Sequence, residues 1–307
     1  MAENSNSRFV SGFVSILGRP NAGKSTLLNA LVGAKLAIVT EKPQTTRTSI
    51  QGVLHLPSAQ IVFLDTPGIH EPDSALNKKM LETVRAALAD RDLLLYMVDA
   101  TRPFTERDKK AVDLLRGSAP ALLVLNKIDQ LKDKSPLLGL ISKYKAIHEF
   151  VDYLPISALT GEGLDTLREA ILQRLPEGPP YFPPDYITDQ PERFLAAELI
   201  REKILRKTRD EVPHAVAVVV DRWEETPQLT KIHASIYVER EGQKGILIGS
   251  RGSLLKEIGT EARLEMERLL DKKVFLELHV KVRPKWRENP LFLNAIDWRS
   301  MAETEVK

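Results

Sequence analysis

The run Gly18-Arg19-Pro20-Asn21-Ala22-Gly23-Lys24-Ser25 fits the pattern G-x-x-x-x-G-K-[ST] directly after an apolar stretch. In that setting successive backbone amides and a helix N-terminus close around phosphate oxygens. Lys24 is expected to reach the β- and γ-phosphates of a nucleotide, Ser25 to ligate Mg²⁺ through its hydroxyl, and Thr26 to lie beside it at the helix start. Asp65-Thr66-Pro67-Gly68 ends a later apolar run. A carboxylate at Asp65 there suits the Mg²⁺ shell, and the Gly68 amide suits the γ-phosphate.

The base is chosen further along, at Asn126-Lys127-Ile128-Asp129. A carboxylate at Asp129 accepts two hydrogen bonds from the N1–H and N2–H₂ edge of guanine, whereas adenine leaves it unpaired. Asn126 is expected to tie this loop to the phosphate loop, and the Lys127 stem to cover the purine face. Ser157-Ala158-Leu159 supplies a last loop whose amide is aimed at guanine O6. The polar segment Thr40-Glu41-Lys42-Pro43-Gln44-Thr45-Thr46-Arg47-Thr48 has no helical or strand period and reads as a first switch loop, with Thr46 rather than Thr45 as the Mg²⁺-sensing threonine. Residues 69–77 then form the second switch. The expected ligands are GTP or GDP with Mg²⁺; Lys24, Thr46 and Gly68 are the catalytic set, and Ser25, Thr46 and Asp65 the metal set.

These loops need a frame. From about residue 9 to 175, apolar runs bounded by turn residues alternate with amphipathic stretches. That is the pattern of a doubly wound, mostly parallel α/β sheet, here of P-loop NTPase type. Strands are expected at 13–17, 51–56, 60–64, 93–98, 121–125 and 153–156, and helices at 24–31, 76–89, 106–115, 136–150 and 163–175. Pro176, Pro179, Pro180, Pro183 and Pro184 then favour an extended connection. Domains are therefore expected at 1–178 and 191–307, joined by a linker at 179–190. The second reads as a smaller α+β domain of order α-β-β-α-α-β: a helix at 191–209, strands at 215–223 and 231–239, a short helix leading to Gly249-Ser250-Arg251-Gly252, a long helix to residue 270 and a strand at 274–282.

Composition narrows the classes. The 307 residues hold 44 Lys and Arg against 42 Asp and Glu, a net charge of only +2, so charge alone does not indicate nucleic acid. Without cysteine there is no disulfide framework, thiol nucleophile or thiolate metal site. The opening residues lack the charged and apolar regions of a leader, and no stretch has the roughly 18 apolar residues of a spanning helix, so a cytoplasmic setting is expected.

Taken together the motifs resemble the Era family of bacterial ribosome-assembly GTPases over essentially the whole chain. The resemblance rests on the phosphate loop, the switch Gln44-Thr45-Thr46-Arg47, Asp65-Thr66-Pro67-Gly68, Asn126-Lys127-Ile128-Asp129, the joint with Pro183, Asp185, Tyr186 and Asp189, and a C-terminal stretch from Val280 to Arg287. It implies a type II KH-like second domain gripping single-stranded RNA with Gly249, Ser250, Arg251 and Gly252, beside which the apolar Ile248, Ile246 and Leu255 either line the groove for unstacked bases or belong to the core. By the same resemblance the RNA is the 3′ end of small-subunit (16S) ribosomal RNA, the process is assembly and maturation of the 30S subunit, and the protein is a monomer with possible peripheral contact at the inner face of the cell membrane. Ras-like enzymes carry a water-orienting glutamine where this chain has Ile69, so intrinsic hydrolysis should be slow. Asn21 has two readings, a K⁺ ligand in place of an arginine finger or a loop residue tolerant of unusual dihedrals.

Other readings stand beside these. Lys281, Arg283, Lys285 and Arg287 alternate as though along one strand face, either toward RNA or as a solvated edge. The Lys/Arg-bearing stretch 201–209 admits a membrane-associated signalling module. The GTPase arm of a tRNA-modifying enzyme shares a similar switch, but no appended modification domain is present.

Overall fold

The structure, a computed structural model, describes residues 8–42, 44–71 and 73–297. Pro43 in the first switch segment and Pro72 in the second lie outside the described residues. Two compact units are formed: one from residues 1–37, 46–71 and 79–189, the other from 38–45, 72–78 and 190–307.

In the first unit a six-stranded sheet has the order β2-β3-β1-β4-β5-β6, with β1 (Val10–Gly18), β2 (Ile50–Leu56), β3 (Ala59–Asp65), β4 (Leu93–Asp99), β5 (Ala121–Asn126) and β6 (Asp152–Pro155). β2 runs antiparallel to β3, and all other neighbours are parallel. The chain leaves β1 toward β3 on one side and returns to β4 on the other, so the sheet reverses its order at β1. In such sheets the crevice beyond the carboxyl ends at that reversal is where ligands bind.

Parallel strands are covered on both faces, which explains why β4 and β5 are apolar throughout rather than alternating. One face packs α1 (Lys24–Val32) and α5 (Leu164–Leu172) over Ile16, Leu28, Leu95, Val124, Leu167 and Ile171. The opposite face gathers α2 (Ala75–Ala86, through Val84), α3 (Glu106–Val112) and α4 (Pro136–Lys145) around Leu17, Tyr96, Leu123 and Tyr144. Four of these helices, α2, α3, α4 and α5, are shorter than expected. The stretch 146–150 forms a turn in which Phe150 packs edge-on against His148 instead of continuing α4. Gly163 sits at φ 79° and caps α5, so the helix starts one residue later, and it ends at Leu172 rather than at residue 175.

The second unit holds a three-stranded sheet, β7 (Ala217–Glu225), β8 (Leu229–Val238) and β9 (Lys273–Val282), antiparallel then parallel. Over it lie α6 (Glu192–Lys207), α8 (Glu241–Ile248) and α9 (Ser253–Leu270), packed through Ile200, Ile204, Ile236, Leu247, Ile258 and Met266. The order α-β-β-α-α-β is present, with two additions. Pro213 presets a short helix, α7 (Val212–Ala215), where a strand start was expected, and Asn289 accepts the Phe292 amide at 3.0 Å to cap α10 (Pro290–Ala295).

Candidate functional site

Gly23 joins the phosphate loop to α1 in the left-handed region, φ 97°, and a side chain there would meet Asn126 Nδ2 at 2.2 Å. Only glycine satisfies both demands. No side chain caps α1 and no acid stands in its first turn, so its amides and dipole are left to favour an anion. Lys24 points back along the loop, its ammonium donating to the carbonyls of Gly18 and Arg19 at 3.3 and 3.2 Å. Burial lowers its pKa, and the nearby Asp65 carboxylate opposes that shift.

The three residues expected around a metal converge although they come from α1, the first switch and β3. Ser25 Oγ donates to Asp65 Oδ2 at 2.6 Å and lies 2.8 Å from Thr46 Oγ1, which is itself 3.5 Å from Asp65 Oδ2. Thr45 does not enter this group. Its hydroxyl donates to the Lys42 carbonyl at 2.6 Å and lies 2.7 Å from Thr40 Oγ1. Burial pushes the Asp65 carboxyl up to about 6, against the pull of Lys24, Ser25 and Thr46. Asp65 Oδ1 is buried with no hydrogen-bond partner. A buried carboxylate oxygen left without a donor, beside two hydroxyls, is the donor set of a hard divalent cation, so these residues fit Mg²⁺. Gly68 packs closely on Pro20, and the Ile69 amide donates to the Gly18 carbonyl at 3.1 Å, binding the D-x-x-G turn to the phosphate loop. The Ile69 side chain packs into the apolar face described above.

Asn126 joins three loops: its Nδ2 donates to the Ala22 carbonyl at 2.8 Å, and its Oδ1 accepts the Ala158 amide at 2.9 Å. The phosphate loop, N-K-x-D loop and Ser157-Ala158-Leu159 loop are thereby held at one end of the sheet. Ser157 is buried and its Oγ accepts the Thr160 amide at 3.1 Å, whereas Leu159 and Asp129 are exposed. Lys127 takes the left-handed conformation, φ 70°, and its ammonium lies 2.7 Å from Asp99 Oδ2. Partial burial works against the Asp99 carboxylate, but hydrogen bonds from Lys127 and Thr101 outweigh it and hold Asp99 below the usual carboxylate range.

Three supporting residues escaped sequence reasoning. Asp99 sits at the end of β4 and pairs in register with Asn126, so an acid at a strand end was the available signal. Asp108 receives Arg19 of the phosphate loop at 3.1 Å, and Asn29 accepts the Leu36 and Ala37 amides at 2.9 Å to shape the turn after α1. Neither carried a signal, because each meets its partner only in the folded chain.

In the second unit Gly249 (φ 72°) ends α8, and a side chain there would strike Leu254 at 2.8 Å. Arg251 is exposed in the left-handed region, φ 51°, and Gly252 begins α9 with open space around it. Ile246 is exposed and Ile248 half-buried on the adjoining turn, while Leu255 packs into the core. The alternating basic strand is not found. β9 ends at Val282, Arg283 stacks on Phe292 at 4.2 Å, Lys285 turns through φ 53°, and Arg287 pairs with Glu239 at 2.6 Å. Trp286 between them is buried, its indole N–H donating to the Ala215 carbonyl at 2.9 Å, so the tail folds inward instead of extending the strand. The stretch 201–209 is no cationic face either, since Arg201 and Lys203 are buried beside Glu198, Glu202 and Glu265. No helix among the described residues is long and apolar enough to cross a membrane.

Residues 13–127 match the family described as 50S ribosome-binding GTPase, and residues 211–287 match the KH domain family. The chain is 52% identical over 297 residues to GTPase Era of Geobacter metallireducens, covering 96% of this chain and 99% of that one. Among solved structures it resembles an Aquifex aeolicus Era variant bound to GDP and AlF4⁻, with 43% identity, a TM-score of 0.91, and coverage of 94% of this chain and 99% of that one. A second, with 43% identity, a TM-score of 0.92 and the same coverage, is Era in complex with MgGDPNP and nucleotides 1506–1542 of 16S ribosomal RNA. A P-loop GTPase domain followed by a KH domain is the class that this fold defines. Within it, the chain belongs to the Era family of GTPases.

Proposed function

We propose that the chain is a GTP-driven switch whose KH domain binds the 3′ end of small-subunit ribosomal RNA and which acts in assembly of that subunit. The observation that carries this reading is the likeness, along nearly the whole chain, to an Era held on nucleotides 1506–1542 of 16S ribosomal RNA. The exposed Gly249-Ser250-Arg251-Gly252 turn between two helices supports it, because such a turn lets a phosphate backbone approach closely. Division of labour follows the same lines, with nucleotide chemistry in the first unit and RNA recognition in residues 191–307.

At the nucleotide, Gly18, Asn21, Ala22, Gly23, Lys24, Ser25 and Thr26 take the phosphates, Asn126, Lys127 and Asp129 the guanine ring, and Ser157, Ala158 and Leu159 its O6 edge. Ser25, Thr46 and Asp65 would hold Mg²⁺, which when bound neutralises charge on the β- and γ-phosphate oxygens. Lys24 and the Gly68 amide stabilise negative charge on the γ-phosphoryl group as water attacks in line and the bond to the β-phosphate oxygen breaks. Ile69 has no group to orient that water, which supports a slow intrinsic rate. A K⁺ beside the phosphates, held by the Asn21 side-chain oxygen, is one reading of this residue; its φ of 64° also suits the other, a loop residue tolerant of unusual dihedrals. Turnover several-fold faster in K⁺ than in Na⁺ buffer is expected, and equal rates would remove the cation.

The test of the main reading is binding of a synthetic RNA of the 16S 3′ end, measured by filter retention with GDP and with a non-hydrolysable GTP analogue. Tighter binding with the analogue than with GDP is expected. Affinity equal to that for a scrambled RNA would overturn the reading.

A further inference from the structure

Asp99 occupies the last position of β4, directly opposite Asn126 at the last position of β5. The two oxygens of its carboxylate serve different neighbours. Oδ1 accepts from the Thr101 amide at 3.0 Å and from the Thr101 hydroxyl at 2.6 Å, which fixes the orientation of the group. Oδ2 is thereby turned to Lys127, accepting from Nζ at 2.7 Å, with the exposed Arg102 guanidinium at 3.3 Å. Ion pairs in open water contribute little, but the Asp99 side chain is only 9% exposed and that of Lys127 26%, so this one is screened much less.

The backbone around Lys127 is held without Asp99. The Asn126 carbonyl accepts the Ala100 amide at 2.9 Å, the Ile128 amide donates to the Ile156 carbonyl at 3.2 Å, and the Gln130 amide donates to the Lys127 carbonyl at 3.1 Å. With the Asn126 side chain bonded to Ala22 and Ala158, these contacts keep Lys127 at φ 70°, a conformation that persists only where the surroundings impose it. The side chain is a separate matter. A lysine stem is long and freely rotating, and ordering it at the moment a ligand binds would weaken that binding. The ion pair to Asp99 orders it in advance.

We propose that Asp99 is a positioning residue for the guanine site, holding the Lys127 side chain in one direction so that its methylenes form a ready apolar shelf for the purine face. The inference rests on the reading of Lys127 as the residue that covers that face. Asn126 then sets the loops, Asp129 reads the edge of the base, and Asp99 sets the shelf on which the base lies. The shelf meets the ring and not the phosphates, so its loss weakens GDP and GTP alike and leaves the choice among purines with Asp129.

The test uses the full chain with Asp99→Asn, Asp99→Ala, Lys127→Ala and the Asp99→Asn, Lys127→Ala pair. Asp99→Asn is the mildest change: its remaining oxygen can keep both Thr101 bonds, which turns the amide nitrogen, a donor, toward the Lys127 ammonium. Affinities are read for a fluorescent GDP, a non-hydrolysable GTP analogue and, by competition, xanthosine diphosphate. Both Asp99 variants should bind GDP and the analogue about tenfold more weakly, by the same factor for each, the scale of one lost charge-assisted hydrogen bond. Preference for GDP over xanthosine diphosphate should stay as it was. In the Lys127→Ala background Asp99→Asn should cost less than about twofold more, because the residue it acts through is gone. An equal cost with and without Lys127 would make Asp99 a prop for the strand end and overturn the proposal, as would a changed preference between the two diphosphates. Should Asp99→Ala fail to fold, Asp99→Asn carries the same comparison. If Lys127→Ala weakens GDP binding and the Asp99 variants do not, the positioning role alone is refuted; if Lys127→Ala leaves GDP binding intact, the reading of Lys127 falls and the role of Asp99 with it.

Discussion

Asn126 spends both ends of its amide on backbone, one on Ala22 and one on Ala158, so the nucleotide loops are aligned by a single buried side chain. Replacing it by Ala removes two hydrogen bonds and leaves buried partners unmet, a loss of about 2–3 kcal/mol. Titration with a fluorescent GDP should accordingly show affinity roughly a hundredfold weaker, whereas a loss under threefold would mean that the loops align by other means. Asp129→Asn exchanges an acceptor for a donor and should move preference from GTP to xanthosine triphosphate; competition binding reads this, and unchanged GTP affinity would contradict the base-reading role. As a ligand of Mg²⁺, Asp65 would make metal binding sensitive to pH. Its pKa is raised from 3.8 to about 6 by burial, so folding favours the protonated form and this stabilisation, complete below about 4, fades as pH rises through 6. Mg²⁺ needs the carboxylate, so Mg²⁺-dependent GTP binding should weaken as pH falls through about 6, while binding equal at pH 5.5 and 7.5 would show the carboxyl not to titrate there. At this scale the residues proposed for the nucleotide could be picked out because each motif is contiguous in the chain. The selection of Thr46 over Thr45 acquired its physical reason from the fold, in the two hydroxyls pointing to different partners.

Periodicity located every strand and the principal helices, and erred where one residue's conformation decided an end. Pro213, Gly163 and the turn around Phe150 are local constraints that an apolar pattern does not register. The basic alternation from Lys281 to Arg287 misled for a different reason: Trp286 finds its partner at Ala215, a contact invisible in the chain's order. The turn between α8 and α9 shows what element geometry adds to a motif. A substitution at Gly249 collides with Leu254 and disturbs the junction of two helices, but Gly252 faces open space with φ 78°, a region Asp tolerates. Gly252→Asp should thus keep the melting temperature within a few degrees and basal GTP hydrolysis intact, while RNA retention falls by an order of magnitude or more from charge beside phosphate. Undiminished RNA retention would place the RNA elsewhere on the domain.

For the molecule as a whole, the proline-rich stretch is the part whose role the composition disguised. Its prolines suggested an extended connection, and up to Asp189 it groups with the first unit. Gln60 accepts the amides of Tyr181 and Phe182 at 2.6 and 3.0 Å, the Val53 amide donates to the Ile187 carbonyl at 2.8 Å, and Thr188 donates to the Gln51 carbonyl at 2.6 Å. Equally unreadable was the membership of residues 38–45 and 72–78 in the second unit, since nothing in a polar loop names the helix that will hold it. β2 is the outer strand of its sheet, and Ile187 and Thr188 occupy hydrogen-bonding groups that would otherwise face outward. An uncovered border of that kind recruits strands from other molecules. A fragment stopped after residue 178 should therefore self-associate in sedimentation or light scattering, while one stopped after residue 189 keeps its own border closed and stays dispersed.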